Sequence, residues 1–258
     1  MGVVNVTPDS FSGDGLIAAT SAIDYAVEQH ARSADMLDVG AQSTRPGHTP
    51  IHADLEKERL LPVIAGIRER LPEAIVSADT FDPSVLNAAF QAGADILNSI
   101  WGLPDPLLEL VVERQTPVVI MHNKEIAEYS GDVMDEVLAF LSRSADRAIG
   151  AGIPAEHVIL DPGIGFGKSP EHNLAVLSSL ERLVALGFPT LLGTSRKSTI
   201  GKLTGREPHE RVLGTAGTVA LAIAAGIDIV RVHDVREMRD VVSVCDAIER
   251  GWRPPTWT

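Results

Sequence analysis

Residues 74–98 read AIVSADTFDPSVLNAAFQAGADILN and form the clearest strand–helix–strand pattern in the chain. Two short apolar runs, at 74–78 and 95–97, flank a segment at 83–92 whose apolar residues recur at helical spacing. Asp82 and the proline after it are typical of a helix start. The runs are apolar without alternation, as expected where both faces of a parallel strand are buried. The stretch therefore predicts two parallel strands joined by a helix.

The same pattern recurs along the whole chain. The predicted strands are 2–6, 36–39, 74–78, 95–97, 117–121, 157–160, 190–193 and 227–232. The predicted helices are 18–33, 55–70, 83–92, 106–114, 133–151, 173–186, 210–225 and 235–250. Eight such units predict an α/β fold with one domain over residues 1–258, a (β/α)8 TIM barrel. A doubly wound open sheet is the structural alternative, which the number of units does not exclude.

Composition excludes several classes of protein. The chain has 22 Lys and Arg against 35 Asp and Glu, and the net charge of −13 argues against nucleic acid and anionic membranes as partners. No apolar run approaches the length of about 18 residues that a membrane span needs, and the first residues do not resemble a signal peptide. The single cysteine, Cys245, excludes an internal disulfide and a cysteine-based zinc site. We expect a cytoplasmic protein.

Polar side chains stand where each predicted strand ends. They are Asn5, Asp38, Asp79, Asn98, His122, Asp161, the group Ser195, Arg196 and Lys197, and the pair Arg231 and His233. In a (β/α)8 barrel the active site lies at the carboxyl ends of the strands. The sequence therefore predicts an active site at this rim.

One set of these residues suits a planar heterocycle. Asp79, Asn98 and Asp161 offer acceptors and an amide donor for a ring with adjacent N–H groups, such as a pterin or a purine. Each carboxylate alone has a structural alternative: Asp79 as the cap of helix 83–92, and Asp161 as the cap of the turn at Pro162.

A second set suits an anion. Its candidate cations are Arg45, Lys197, Arg231 and His233. On a chain this acidic, cations gathered at one rim favour a phosphate or pyrophosphate group. Asn5 offers an oxygen ligand for Mg2+, or is a simple turn residue. We interpret His122 as a hydrogen-bonded structural residue rather than a catalytic one.

Loops beside the rim are also distinctive. The glycine-rich stretch 163–169 lacks the spacing of a P-loop, which would require glycine where Pro162 stands, and it also lacks the dinucleotide fingerprint. The segments 7–15 and 41–50 are long for such connections and are candidate lids, with Phe11 placed to cover a substrate.

Six motifs in order resemble the dihydropteroate synthase family. They are NVTPDSFS at 5–12, DVG at 38–40, STRPG at 43–47, DPGIGFGK at 161–168, SRKS at 195–198 and RVHDV at 231–235. The resemblance runs from Gly2 to about Arg250. It implies a barrel enzyme of folate biosynthesis that joins 6-hydroxymethyl-7,8-dihydropterin diphosphate to 4-aminobenzoate. The products are 7,8-dihydropteroate and pyrophosphate. It also implies a need for Mg2+, competitive inhibition by sulfonamides, and a homodimer formed through the late helices.

The resemblance implies roles for individual residues. Pterin binding falls to Asp79, Asn98, Met121, Asp161, Phe166, Gly193 and Lys197. Diphosphate binding falls to Asn5, Thr44, Arg231 and His233, with Asn5 also on the metal. The 4-aminobenzoate side falls to Phe11, Thr44, Arg45, Pro46 and Ser195. The catalytic set is Asp79, Lys197, Arg231 and His233. Pyrophosphate leaves first, and the arylamine then attacks a pterin-methyl cation that Asp79 stabilises.

Several positions depart from the family pattern. They are Gln42, Ala78, Ser99 and Asn123. Two other functions stay open: a pterin-binding paralogue without turnover, and a relative of the methyltetrahydrofolate–corrinoid methyltransferases. The retained Arg45, Lys197 and Arg231 argue against the first, and the latter enzyme does not need the SRKS motif or the pair Arg231 and His233.

Overall fold

A computed structural model describes residues 1–6, 15–41, 51–254 and 256, with side chains from residue 18 onward in the second range. The strands are β1 (Gly2–Asn5), β2 (Met36–Gly40), β3 (Ile75–Asp79), β4 (Ile96–Ser99), β5 (Val118–Met121), β6 (Val158–Asp161), β7 (Leu191–Leu192) and β8 (Ile229–Val230). The helices are α1 (Gly15–Ala31), α2 (Ala53–Arg70), α3 (Pro83–Ala92), α4 (Asp105–Arg114), α5 (Val133–Gly150), α6 (Pro170–Leu177), α7 (Leu180–Val184), α8 (Ser198–Thr204), α9 (Val212–Ala224) and α10 (Val235–Glu249). Within these ranges, none of the helices is both long enough and apolar enough to cross a membrane.

The strands form a closed ring. β1 to β6 make one parallel sheet in sequence order, and β7 pairs with β8 in a short parallel sheet of two strands. Two single bridges join the sheets, Leu160 to Thr190 on one side and Gly2 to Val232 on the other. The Val3 amide donates to the Val232 carbonyl at 3.0 Å, which brings the last strand back to the first. The (β/α)8 barrel is confirmed, and the open sheet is excluded.

Alternation along the strands separates two apolar clusters. One cluster consists of residues from the strands and the first residue of the chain, without a helical residue: Met1, Met36, Ile96, Val119, Ile159, Leu191 and Ile229. Because it draws on nearly every strand and on no helix, this cluster fills the inside of the ring, and we call it the plug. The larger cluster combines the other strand face with the helices, for example Leu97 and Val118 with Leu86 and Leu141.

The helices differ from the prediction in two places. The single helix expected over 173–186 is two helices, α6 and α7, because Ser179 adopts a non-helical φ of −130°. The Ser178 hydroxyl donates to the Ala175 carbonyl at 2.9 Å, which is the local competition with the backbone that makes serine a poor helix interior residue. The helix α8 was not predicted, because it spans seven residues and contains Gly201, too short a stretch for apolar periodicity to reveal.

Candidate functional site

The predicted site residues form a polar layer directly above the plug. Side chains on the same face of a strand lie two residues apart, so the next inward position after Ile96 is Asn98, and after Ile159 it is Asp161. The same step places the other members. This inward layer consists of Asp38, Asp79, Asn98, Met121, Asp161, Gly193 and Arg231.

A buried charge cluster occupies one side of the layer. Arg231 Nε donates to Asp38 Oδ2 at 2.6 Å, and its Nη2 donates to Asp79 Oδ2 at 3.2 Å. The side-chain amide of Asn98 also donates to Asp38 Oδ2, at 3.2 Å. Asp38 is fully buried. Sequence patterns predict Asp38 at the rim but assign it no role, so they miss this partner of Arg231. The position of Asp38, two residues after Met36, indicates that its side chain points inward and could have revealed this partner.

Asp79 is an unusual carboxyl group. Burial, and after it the nearby Asp38, raises its pKa to about 7 against the opposing charge of Arg231. Asp82, not Asp79, caps α3, because its carboxylate accepts from the Ser84 and Val85 amides at 2.8 and 3.1 Å. The Asp79 Oδ1 atom is buried and has no hydrogen-bond donor among the residues that the structure describes. This oxygen could therefore bond to a ligand, as an acceptor when the carboxyl group is ionised.

The opposite side of the layer pairs Asp161 with Lys197. Burial raises the pKa of Asp161, and the Lys197 ammonium opposes the shift. Burial also lowers the pKa of Lys197 to about 8. Asp161 Oδ1 accepts from the Gly163 amide at 2.7 Å, so one oxygen does cap the turn, as the structural alternative predicted. Lys197 donates to the Ile164 carbonyl, and its Nζ lies 4.6 Å from the centre of the Phe166 ring.

Gly193 leaves the space between the cations open. A Cβ atom at this position would lie 3.9 Å from Lys197 Nζ and 3.8 Å from Arg231 Cβ. Met121 is buried at the end of β5, on the same inward face. The inward layer together with Phe166 and Lys197, which we call the slot, thus combines the apolar side chains of Met121 and Phe166 with acceptors and cations.

His233 and Ser195 contact each other. The Ser195 hydroxyl oxygen accepts from the His233 backbone amide at 3.1 Å and lies 3.0 Å from His233 Nδ1. Burial, and after it the charge of Arg231, lowers the pKa of His233 to about 4. The His233 ring is therefore neutral near pH 7, and the cation expected from the sequence is not found. A neutral imidazole can still donate a hydrogen bond to an anion.

Other predicted residues lie outside this cluster. Phe11, Thr44, Arg45 and Pro46 lie outside the described residues, as does Gln42. Asn5 ends β1 with an exposed side chain at the same rim. Ala78 and Ser99 directly adjoin Asp79 and Asn98, so strand alternation turns them away from the inward layer.

The described residues hold no group of three His, Cys, Asp or Glu side chains suited to a metal ion. The described part of the chain therefore contains no preformed metal site built from such side chains. Mg2+, however, commonly keeps its water molecules and takes few protein ligands when a substrate phosphate supplies the rest. The exposed amide oxygen of Asn5 fits that manner of binding.

The raised pKa of Asp79 predicts a pH-dependent effect on stability. In the unfolded chain this carboxyl group ionises near 3.8, but in the folded protein it holds its proton up to about pH 7. Stability is therefore lost as the pH rises from about 4 to 7. Asp79→Asn removes this loss, so the gain in stability should be larger at pH 8 than at pH 5. The expected difference exceeds about 1 kcal/mol, or roughly 2–4 °C in Tm.

Thermal unfolding of both proteins at the two pH values measures this difference. Asp35→Asn is a matched control, because Asp35 is an exposed carboxylate paired with Arg239. Equal shifts for Asp79→Asn at pH 5 and pH 8 would contradict a buried carboxyl that titrates near neutrality.

The chain resembles known proteins over nearly its whole length. Residues 1–233 match the family described as pterin binding enzyme. The dihydropteroate synthase of Bacillus subtilis is 43% identical over 251 residues, which are 96% of this chain and 87% of that protein. The dihydropteroate synthase of Clostridium difficile, solved in the presence of pteroic acid, superposes with a TM-score of 0.93 at 41% identity, covering 97% of this chain and 96% of that one. The Xanthomonas albilineans enzyme with 4-aminobenzoic acid gives a TM-score of 0.93 at 41% identity, covering 98% and 93%. The chain thus belongs to the pterin-binding enzyme family and, within it, to the dihydropteroate synthases.

Proposed function

We propose that this chain condenses 6-hydroxymethyl-7,8-dihydropterin diphosphate with 4-aminobenzoate, giving 7,8-dihydropteroate and pyrophosphate. The observation that carries the proposal is the position of Asp79, which is bound to Arg231 through one buried oxygen and leaves the other without a donor among the described residues. An anion-binding cation and a ring-binding acceptor therefore lie side by side, as a pterin with a diphosphate group requires.

The pterin ring would lie in the slot of the inward layer. Asp161 and Asn98 would bind the N–H edge of the ring, with Asp79 as a further acceptor. Met121 and Phe166 would pack against the faces of the ring, and Gly193 would leave room for it between Lys197 and Arg231. Both carboxyl groups are buried, so their hydrogen bonds to the ring would be strengthened by the low local dielectric.

The diphosphate would leave toward the cations at the rim. Arg231 would bind it with two N–H groups, and neutral His233 would donate one more hydrogen bond. Thr44 would contribute from outside the described residues. Mg2+, when bound with Asn5 and the diphosphate oxygens as ligands, would neutralise charge that develops on the leaving group.

Departure of pyrophosphate breaks the carbon–oxygen bond and leaves a positive pterin-methyl carbon. The positive charge would favour the ionised form of Asp79, and this carboxylate would then stabilise the charge electrostatically. The 4-aminobenzoate nitrogen would then form the new bond and lose one proton. Because an arylamine is weakly basic and largely unprotonated, no strong general base is needed. Ser195, together with Phe11, Thr44, Arg45 and Pro46, would hold the 4-aminobenzoate ring and its carboxylate.

We also propose that the protein forms a homodimer through α9 and α10 and acts in the cytoplasm. These helices pack on each other, and they carry large apolar side chains that are exposed in the single chain. The exposed residues are Leu213, Leu221, Val244 and Ile248, with exposed fractions of 86%, 70%, 60% and 73%. Exposed apolar residues concentrated on adjacent helices are typical of a protein–protein interface.

The condensation is tested by measuring pyrophosphate release from the dihydropterin diphosphate, with and without 4-aminobenzoate and Mg2+. We expect release to match dihydropteroate formation one to one and to require both additions. A sulfonamide should compete with 4-aminobenzoate, and a solved relative is bound to such a drug. Tight pterin binding with no release would overturn the synthase function and favour a paralogue without turnover or the methyltransferase branch.

Arg231→Ala tests the assignment of the leaving-group site. The variant should bind the dihydropterin diphosphate about 10–100-fold more weakly, since hydrogen bonds to charged groups contribute about 1.5–3 kcal/mol. Binding of the free hydroxymethyl pterin should change by less than about threefold. Asp38→Asn should show the same selectivity with a smaller loss, because it removes a charged partner of Arg231. Arg239→Ala, which affects an exposed arginine, is the control. Equal losses for the two ligands would refute the role.

A charge placed on the proposed interface should prevent dimerisation. Ile248→Glu alters an exposed position on α10, so the fold of the single chain should be kept. Light scattering should give the mass of a dimer for the wild type and the mass of a monomer for the variant. Glu249→Gln, at the neighbouring position, should stay dimeric. A wild-type protein that is monomeric at micromolar concentration would contradict the proposal.

A further inference from the structure

The glycine-rich loop that follows β6 forms one wall of the slot. Its Phe166 ring and its Ile164 carbonyl both contact Lys197. The loop turns sharply, and Gly163 shows why a side chain is excluded there. Its φ is +68°, and a Cβ atom would lie 1.9 Å from the His122 carbonyl oxygen. The shape of this wall therefore depends on how the backbone of residues 163–167 is held in place.

Lys168 holds that backbone from beneath. Its Nζ atom lies 3.0 Å from the Gly163 carbonyl oxygen, 3.1 Å from the Phe166 carbonyl oxygen and 2.8 Å from His122 Nδ1. The side chain is 9% exposed. Burial lowers the pKa of Lys168 to about 7, and the nearby Asp161 carboxylate opposes this shift. In its charged form the group has three N–H donors, and here each has one acceptor. The lysine thus joins the two ends of the turn to the end of β5.

His122 supplies the third acceptor. Burial and the nearby Lys168 lower the pKa of His122 to about 3, so its ring is neutral near pH 7. A neutral ring in which Nδ1 accepts carries its proton on Nε2. The Phe140 ring and the imidazole pack edge to face, with the ring centres 5.1 Å apart and an angle of 89°. The histidine is therefore fixed in the orientation that the lysine needs.

We propose that Lys168, oriented by His122, is a positioning residue that shapes the pterin slot by holding the loop of residues 163–167. The proposal rests on the proposed pterin-binding function. Lys168 would not touch the substrate. It would act through Phe166, which packs on the ring, and through Ile164, which orients Lys197.

Loss of this anchor should act locally. The Gly165 amide still donates to Asn173 Oδ1 at 2.8 Å, and the Tyr129 hydroxyl still donates to the Gly167 carbonyl at 2.9 Å. The side-chain hydrogen bonds of Arg231 go to Asp38 and Asp79, which lie outside the loop. Removing the Lys168 ammonium should therefore weaken binding of the pterin ring while leaving binding of pyrophosphate unchanged.

The test compares Lys168→Met with the wild-type enzyme by calorimetric titration of two separate ligands, hydroxymethyl pterin and pyrophosphate. We expect pterin binding to weaken at least tenfold and pyrophosphate binding to change less than twofold. In steady-state assays, KM for the pterin diphosphate should rise and KM for 4-aminobenzoate should stay within twofold. Lys202→Met, at an exposed lysine on α8, should match the wild type in both titrations.

A second pair of variants keeps the lysine and changes its acceptor. His122→Asn retains an acceptor near the position of Nδ1 and should restore most of the pterin affinity that His122→Leu loses. This pair decides the outcome even if Lys168→Met does not fold. Pterin affinity within twofold of the wild type in Lys168→Met, or equal affinities for the two His122 variants, would overturn the positioning role. A wild-type protein that binds no pterin would instead refute the proposed function.

Discussion

Successive side chains of a β-strand point to opposite faces, and closing eight strands into a ring turns this alternation into two separate interiors. The outer one lies between the strands and the helices and is apolar. The inner one is apolar only as far as the plug, and its next layer is polar. Because one-residue slips would exchange the two faces, the same register that buries Leu97 also places Asn98 in the slot. The strand register that folds the barrel therefore also assembles the site.

The polar layer buries several ionisable groups inside the barrel. Arg231 is stabilised by Asp38 and Asp79, but two carboxylates around one guanidinium leave Asp79 poorly satisfied. Truncating a buried charged partner is strongly destabilising, so the cluster is costly to disturb. A ligand with N–H donors and an anionic group would bond both to the carboxyl groups and to the guanidinium group of the cluster. The cluster by itself is therefore less stable than an apolar interior would be, and it is suited to binding.

Most of the architecture could be predicted from the sequence, because apolar runs, helix starts such as Asp82 and strand-end residues are local signals. Strand-end signals predict Asp79, Asn98, Asp161 and Lys197 at the rim. Met121, Phe166 and Gly193 were assigned to the pterin set by the family resemblance alone. Three features needed the three-dimensional structure. The role of Asp38 depends on a partner 193 residues away. The neutral state of His233 depends on burial. The anchor at Lys168 depends on His122 approaching from the preceding strand.

The bond between Asp38 and Arg231 has a consequence for synthesis of the protein. Its two ends lie on β2 and directly after β8, so a growing chain has no complete site until the last strand leaves the ribosome. Substrate cannot stabilise a shorter nascent chain through this cluster. Buried Asp38 and Asp79 would lack their cation during that interval, and water must reach them. Arg231 can therefore neutralise the inner carboxyl groups only once the segment after β8 has joined the ring.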